Sequence, residues 1–130
     1  MFRNVLIADS GKGHVEEMVR MLRDIPAVRQ ARLNLLHVVP EQVGESFTEH
    51  SQKAAGIAAE AVQRLGLNPS DVNTIIRQGD TKQTVLKVAD ELDSDLIVMG
   101  SRGMSRLQSI LSNSASQYVF QLSTRPMLLV

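Results

Sequence analysis

The sequence lacks cysteine, has few aromatic residues and carries no net charge, and each deficit excludes a class of function. Without cysteine there is no disulfide, no thiolate nucleophile and no thiolate metal ligand. Aromatic residues make up 3% of the chain, which leaves few platforms for stacking single-stranded bases. Lys plus Arg and Asp plus Glu both number 14, whereas a protein that grips a phosphate backbone usually has a basic excess. We therefore expect no nucleic-acid partner.

Long apolar runs are missing as well. No apolar stretch approaches the roughly 20 residues that a helix needs to cross a bilayer. The first residues, Met1 to Asn4, are followed by an apolar run that is too short for the hydrophobic region of a signal peptide. We expect a cytoplasmic protein without a membrane partner.

The 130 residues suit one domain, 1–130, in which apolar runs of strand length alternate with segments of helical period. Strands are predicted over 5–8, 33–39, 72–77, 96–99 and 127–130. Helices are predicted from apolar stripes over 15–22, 54–65, 85–92 and 111–122, with Asp80 or Thr81 as the cap of the third and Gly66 ending the second. The polar stretch 41–49 has no clear period and is predicted as a loop.

The alternation of strands and helices predicts an α/β fold, an open parallel five-stranded sheet with helices on both faces. Strands 5–8 and 96–99 are the most uniformly apolar and should be central, whereas strand 72–77 alternates and should lie near an edge. In such a sheet, ligands bind beyond the carboxyl ends of the strands where the winding reverses. If the two apolar strands are neighbours, Asp9 and Gly100 face the same crevice.

A glycine loop after the fourth strand is the most informative segment. Gly100 and Gly103 allow a tight turn that brings N–H groups close to an anion, and Asn113 or Ser114 stands where the last helix begins. A glycine loop followed by a helix start is one way to bind phosphate without a lysine. Two glycines after a strand are also common in simple turns, so the spacing alone leaves both interpretations open.

The segment from Asp95 to Val130 resembles the C-terminal signature of the universal stress protein family, in its branch with the ATP-binding motif. That signature is an apolar strand, G-x2-G-x9-G-[S/T], a helix and a final strand led by proline. Gly79-Asp80 and the opening Val5 to Asp9 match the family too, so that the resemblance covers essentially the whole chain. It implies a flavodoxin-like sheet of the adenine nucleotide alpha-hydrolase-like type, with strand order 3-2-1-4-5. It also implies a homodimer through the last strand, 127–130.

The resemblance further implies an adenine-nucleotide site, for AMP or ATP, with Mg²⁺ as a candidate companion of ATP. The base or its ribose would meet Asp9 and the backbone of Val38, in a pocket lined by Ile7 and Ala8. The ribose and phosphates would meet Gly100, Arg102, Gly103, Asn113, Ser114, Ala115 and Ser116. The implied role is that of a nucleotide-regulated module in stress adaptation.

Two departures from the family pattern bear on that site. Asn113 occupies the position of the third motif glycine, where its side chain could crowd a terminal phosphate, although asparagine tolerates the turn conformation. Ser10-Gly11 inverts the glycine-then-serine order of the family's first loop, so no role is assigned to that hydroxyl.

Other signals are weaker. Gly11-Lys12-Gly13 fails the P-loop pattern, because no glycine lies five positions earlier and Gly13 replaces the Ser or Thr. His14, His37 and His50 show no metal-ligand spacing, and His37 inside an apolar strand is predicted as a core histidine.

Two other functions stay open. One is a slow nucleotide hydrolase or phosphotransferase, for which only Asp9 and Ser114 are loose candidates; we assign no catalytic residue and no metal ligand. The other is an interaction module with a vestigial site, suggested by Asn113.

Overall fold

The computed structural model describes residues 2–9, 15–28, 30–39, 47–100 and 115–130. The strands are β1 (Asn4–Asp9), β2 (Arg32–Val39), β3 (Val72–Gln78), β4 (Leu96–Met99) and β5 (Met127–Leu129). The helices are α1 (Val15–Leu22), α2 (Phe47–Arg64), α3 (Thr81–Glu91) and α4 (Ala115–Leu122), with a 3₁₀ turn at Pro69–Asp71. All strand pairs are parallel and their order is β3-β2-β1-β4-β5, which confirms the predicted α/β fold.

Two apolar clusters cover the two faces of the sheet, because side chains alternate between faces along each strand. Val5 and Ile7 of β1 pack with α1 and α2 on one face. Leu6 and Ala8 pack with α3 and α4 on the other. The central place of β1 and β4 and the edge place of β3 are as predicted.

Local sequence signals set two helix ends as expected. Asp80 is the N-cap of α3, and its carboxylate accepts a hydrogen bond from the Gln83 N–H at 3.2 Å. Gly66 ends α2 in the left-handed conformation, with φ of +66°. The N–H groups of Gly66 and Leu67 donate to the carbonyls of Gln63 and Val62, the pattern of a Schellman motif.

The predicted loop over 41–49 is wrong at its end, because α2 begins at Phe47. Residues 47–49 are exposed, so this first turn shows no apolar stripe in the sequence. The 3₁₀ turn after α2 was not predicted either; the Asn68 side chain accepts from the Ser70 N–H there.

A chain of asparagines crosses three strands near the amino edge of the sheet. Asn34 is 1% exposed, and its side-chain amide donates to Asn4 Oδ1 at 2.9 Å. Its Oδ1 accepts from the Asn73 amide at 3.4 Å. Beside it, both carboxylate oxygens of Asp95 accept backbone N–H groups, those of Arg3 and Asn4. These bonds satisfy polar groups inside the sheet and tie β1 to β2 and to the segment before β4.

We expect Asn34→Leu to lower the free energy of unfolding by about 1–3 kcal/mol, because Asn4 Oδ1 would lose its buried donor. Urea unfolding of the wild type and the variant measures this. Asn73→Leu is the matched control: Asn73 is half-buried and gives a single long hydrogen bond to Asn34, so its effect should be smaller. Equal losses in the two variants would contradict the role assigned to Asn34.

Candidate functional site

The winding of the sheet reverses between β1 and β4, and this places a crevice at their carboxyl ends. β1 pairs with β2 on one side and with β4 on the other. The helix that follows β1 covers one face of the sheet, while the helix that follows β4 covers the opposite face. The connections therefore diverge above β1 and β4, which is where open α/β sheets bind ligands.

Asp9 and Gly100 reach the same level of this edge, as predicted from the two apolar strands. Ala8 is in register with Met99, so Asp9, the last residue of β1, lies beside Gly100, the first residue after β4. A Cβ built on Gly100 would meet no atom within 4 Å among the described residues.

β2 extends beyond β1 at this edge and directs a carbonyl over its end. The last pair between the two strands is Asp9 with His37, whereas β2 continues to Val39. The Val39 carbonyl accepts from the Gly79 N–H at 3.0 Å, so it points toward the β3 side. Successive carbonyls of a strand point to opposite sides, so that the Val38 carbonyl points toward the β1 side, past Asp9. It is an acceptor placed at the crevice.

The side chains of Ile7, Ala8 and Val38 pack in the two apolar clusters. At this edge, the groups that these three residues can offer to a ligand are therefore those of the backbone.

The last helix supplies donors at the same edge. α4 begins at Ala115, directly after the motif positions Asn113 and Ser114. The first N–H groups of a helix have no partner within it, and they form the positive end of its dipole. The backbones of Ala115 and Ser116 are thus placed for an anion. The predicted site residues Arg102, Gly103, Asn113 and Ser114 lie outside the described residues, as does the first loop, residues 10–14.

Two histidines meet near the carboxyl end of β2. The rings of His37 and His50 stack with centroids 6.2 Å apart and an angle of 25° between their planes. His37, predicted as a core histidine, is half-buried, and the partner ring comes from the first turns of α2. Over the described parts of the chain, no group of three His, Asp or Glu side chains could hold a metal ion.

A second contact that the sequence did not reveal joins α3 to α4. The Lys82 ammonium lies 5.1 Å from the centroid of the Tyr118 ring, within the range of a cation–π interaction. Both residues are in the starting turns of their helices. The two positions are 36 residues apart in the sequence, and no local pattern relates them.

Within the described ranges, no helix is both long and apolar enough to span a membrane.

Comparison with known proteins agrees over the whole chain. A model of the universal stress protein family matches residues 1–130. A universal stress protein of Thermus aquaticus is 31% identical over 138 residues, which cover 100% of this chain and 99% of that protein. A universal stress protein of Synechocystis is 32% identical over 135 residues, covering 100% of this chain and 86% of its own.

Solved structures show the same fold. A universal stress protein in complex with cAMP has a TM-score of 0.77 and 22% identity, covering 99% of this chain and 97% of its own. A universal stress protein family protein from Arabidopsis thaliana with AMP bound has a TM-score of 0.66 and 17% identity, covering 98% of this chain and 90% of its own.

Proposed function

This chain belongs to the universal stress protein family, and on that premise we propose that it binds an adenine nucleotide, AMP or ATP. In this proposal it acts in the cytoplasm as a nucleotide-regulated module of stress adaptation. A nucleotide that binds the folded state stabilises that state by mass action. This stabilisation is how the nucleotide would influence the binding of partners.

The convergence of Asp9, Val38 and Gly100 at the reversal of the sheet carries the proposal. The exocyclic amino group of adenine is a donor, and the Val38 carbonyl is an acceptor directed over the end of β1. A carboxylate at position 9 can accept from the base or from the ribose hydroxyls. The relatives in complex with cAMP and with AMP support an adenine ligand for this fold.

The phosphates are proposed to lie at the start of α4. The backbone N–H groups at the start of α4, at Ala115 and Ser116, favour an anion there because they form the positive end of the helix dipole. Arg102, Gly103, Asn113 and Ser114 complete the proposed site. Mg²⁺, if it accompanies ATP, would be held largely by phosphate oxygens and water, the usual arrangement for this ion.

Mass spectrometry, an assay of ATP conversion and a titration separate two other functions from this one. Mass spectrometry of the denatured, purified protein should reveal a bound adenine nucleotide. Steady conversion of added ATP would favour the hydrolase. An empty site that cannot be filled by titration would favour the interaction module, in which the substitution at Asn113 has ended binding.

The exposed edge of the sheet supports a homodimer as the proposed assembly. β5 is the last strand in the order and has a neighbour, β4, on one side. Leu129 on this strand is 40% exposed, and Phe120 on α4 is 64% exposed. Apolar edge strands are prone to association, and pairing with a second copy through 127–130 would extend the sheet across a two-fold axis.

We predict that Asp9→Ala weakens the binding of adenine nucleotides by about 1–3 kcal/mol, because the ligand loses a charged acceptor. Isothermal calorimetry measures the affinity, and the melting temperature without ligand should change little. Asp24→Ala is the matched control, since it removes the same charge at an exposed position beyond the end of α1. Equal affinity in the wild type and the Asp9 variant would reduce Asp9 to a turn residue.

Asn113→Gly should lower the dissociation constant of ATP about tenfold, equivalent to about 1.4 kcal/mol, because it removes a side chain near the terminal phosphate. The dissociation constant of AMP should stay nearly unchanged. Gly103→Val is the companion variant: its branched side chain should block the approach of the backbone and abolish both ligands. If the wild type binds AMP and ATP with equal affinity and Asn113→Gly changes neither affinity, the Asn113 side chain does not crowd the terminal phosphate. Unchanged binding by Gly103→Val would refute the glycine-loop site.

Light scattering at micromolar concentration should show a dimer that Leu129→Lys converts to monomer, because a charge would be buried at the shared edge. Met21→Lys is the matched control, an apolar residue of α1 that is 52% exposed and far from β5 in the sequence. A wild-type monomer would overturn the assembly proposed here, as would equal effects of the two substitutions.

A further inference from the structure

Lys82 carries a charge that a neutral ring, not a carboxylate, holds in place. Its ammonium lies over the face of Tyr118, and no described carboxylate lies within ion-pair distance of it. Arg77 differs: its guanidinium pairs with Glu91 at 3.0 Å. A cation on an aromatic face keeps its full charge, so Lys82 can still act on an anion nearby.

The position of Lys82 is electrostatically unfavourable for the helix that carries it. It is the second residue of α3, where the positive end of the helix dipole repels a cation. The first turns of α1 and α2 contain acidic residues, whereas those of α3 and α4 contain none. The carboxylate of Asp80, just before α3, accepts a hydrogen bond from the Gln83 N–H. Two positive helix ends and Lys82 therefore lie together without an acidic residue in either first turn.

Both of these helix ends lie on the side of the proposed site. Helices that connect parallel strands run back across the sheet, so α3 and α4 begin at its carboxyl edge. Tyr118 is the fourth residue of α4, and helical side chains lean toward the start of their own helix. Because the Lys82 ammonium lies 5.1 Å from the centroid of this ring, it lies beside the beginning of α4.

We infer that Lys82 is a specificity-determining residue that makes nucleotide affinity rise with the negative charge of the phosphate chain. In this inference, which rests on the nucleotide site proposed above, Lys82 acts on phosphates at the start of α4. Tyr118 is the positioning residue that holds the lysine there. A long flexible lysine side chain acts as a mobile point charge and needs no fixed hydrogen-bond geometry to do so.

The test is calorimetric titration of adenosine, AMP and ATP against the wild type and Lys82→Gln. We expect Lys82→Gln to raise the dissociation constant of ATP about three- to tenfold, that of AMP by less, and that of adenosine not at all. Lys87→Gln is the matched control, because it removes the same charge from an exposed position further along α3. It should leave all three constants unchanged.

Two further readouts separate a charge effect from a loss of structure. Added salt should weaken ATP more than AMP in the wild type, and this difference should be smaller in Lys82→Gln, because salt screens the interaction with the lysine. Tyr118→Phe keeps the ring and should leave the ratio of the two dissociation constants as in the wild type. Tyr118→Leu removes the ring face and should move that ratio part of the way toward the value in Lys82→Gln.

The outcomes distinguish this inference from the proposed function. Binding of AMP and ATP with a ratio that Lys82→Gln does not change would overturn the role of Lys82 and leave the nucleotide site standing. An equal loss of affinity for all three ligands in Lys82→Gln would also overturn the role of Lys82, since the effect would then be structural. Failure of the wild type to bind any of the three would overturn both.

Discussion

The burial of β1 between two paired strands is the constraint on which the rest of this molecule depends. Its central residues have no exposed surface, and the strand pairs with β2 and β4 on its two edges. A strand buried in this way needs apolar layers on both faces, and the two helix pairs supply them. The connections that leave β1 and β4 at their carboxyl ends then go to opposite faces of the sheet. The crevice at Asp9 is therefore a consequence of how the core is covered.

The polar groups at the two ends of the sheet are arranged differently. At the amino end, Asn4, Asn34 and Asp95 satisfy one another and nearby backbone groups, and this holds the register of the central strands. At the carboxyl end, β2 runs past β1 and directs the Val38 carbonyl over it. The register held at one end thus sets how far the strands project at the other. A polar network of this kind stabilises the scaffold, while the projecting backbone belongs to the proposed nucleotide site.

The charged side chains show a second contrast, between residues in surface ion pairs and Lys82. Ion pairs on the surface, such as Arg64 with Glu60 and Arg77 with Glu91, connect oppositely charged side chains, and each contributes little in water. Their presence is consistent with a chain whose charges sum to zero. Lys82 departs from this arrangement because its described contact is with a ring, at the end of a helix where a cation is unfavourable. A departure from local preference beside a proposed ligand site is where a functional demand is expected.

The amino-acid sequence by itself determined the features that depend on neighbouring residues. Strands buried on both faces are unbroken apolar runs, so the strand positions and the central place of β1 and β4 could be predicted. Asp80 caps the start of α3 with its side chain, and Gly66 ends α2 through its backbone freedom. The sequence predicted Gly66 and offered Asp80 or Thr81 as the cap. The glycine loop, by its resemblance to a known motif, indicated the family, which the match of the family model confirms. The adenine nucleotide that the motif implies stays a prediction.

Only the tertiary structure decided the features that join distant segments. The first turn of α2 is polar and exposed, and the stacking of His50 on His37 from another element is a contact that no period reveals. The extension of β2 beyond the end of β1, which places Val38 there, depends on the register between the two strands. The sequence of neither strand specifies this register. The pairing of Lys82 with Tyr118 exists because two helices pack side by side on one face of the sheet. Contacts of this kind depend on how the whole chain packs, and a pattern within one segment contains no information about them.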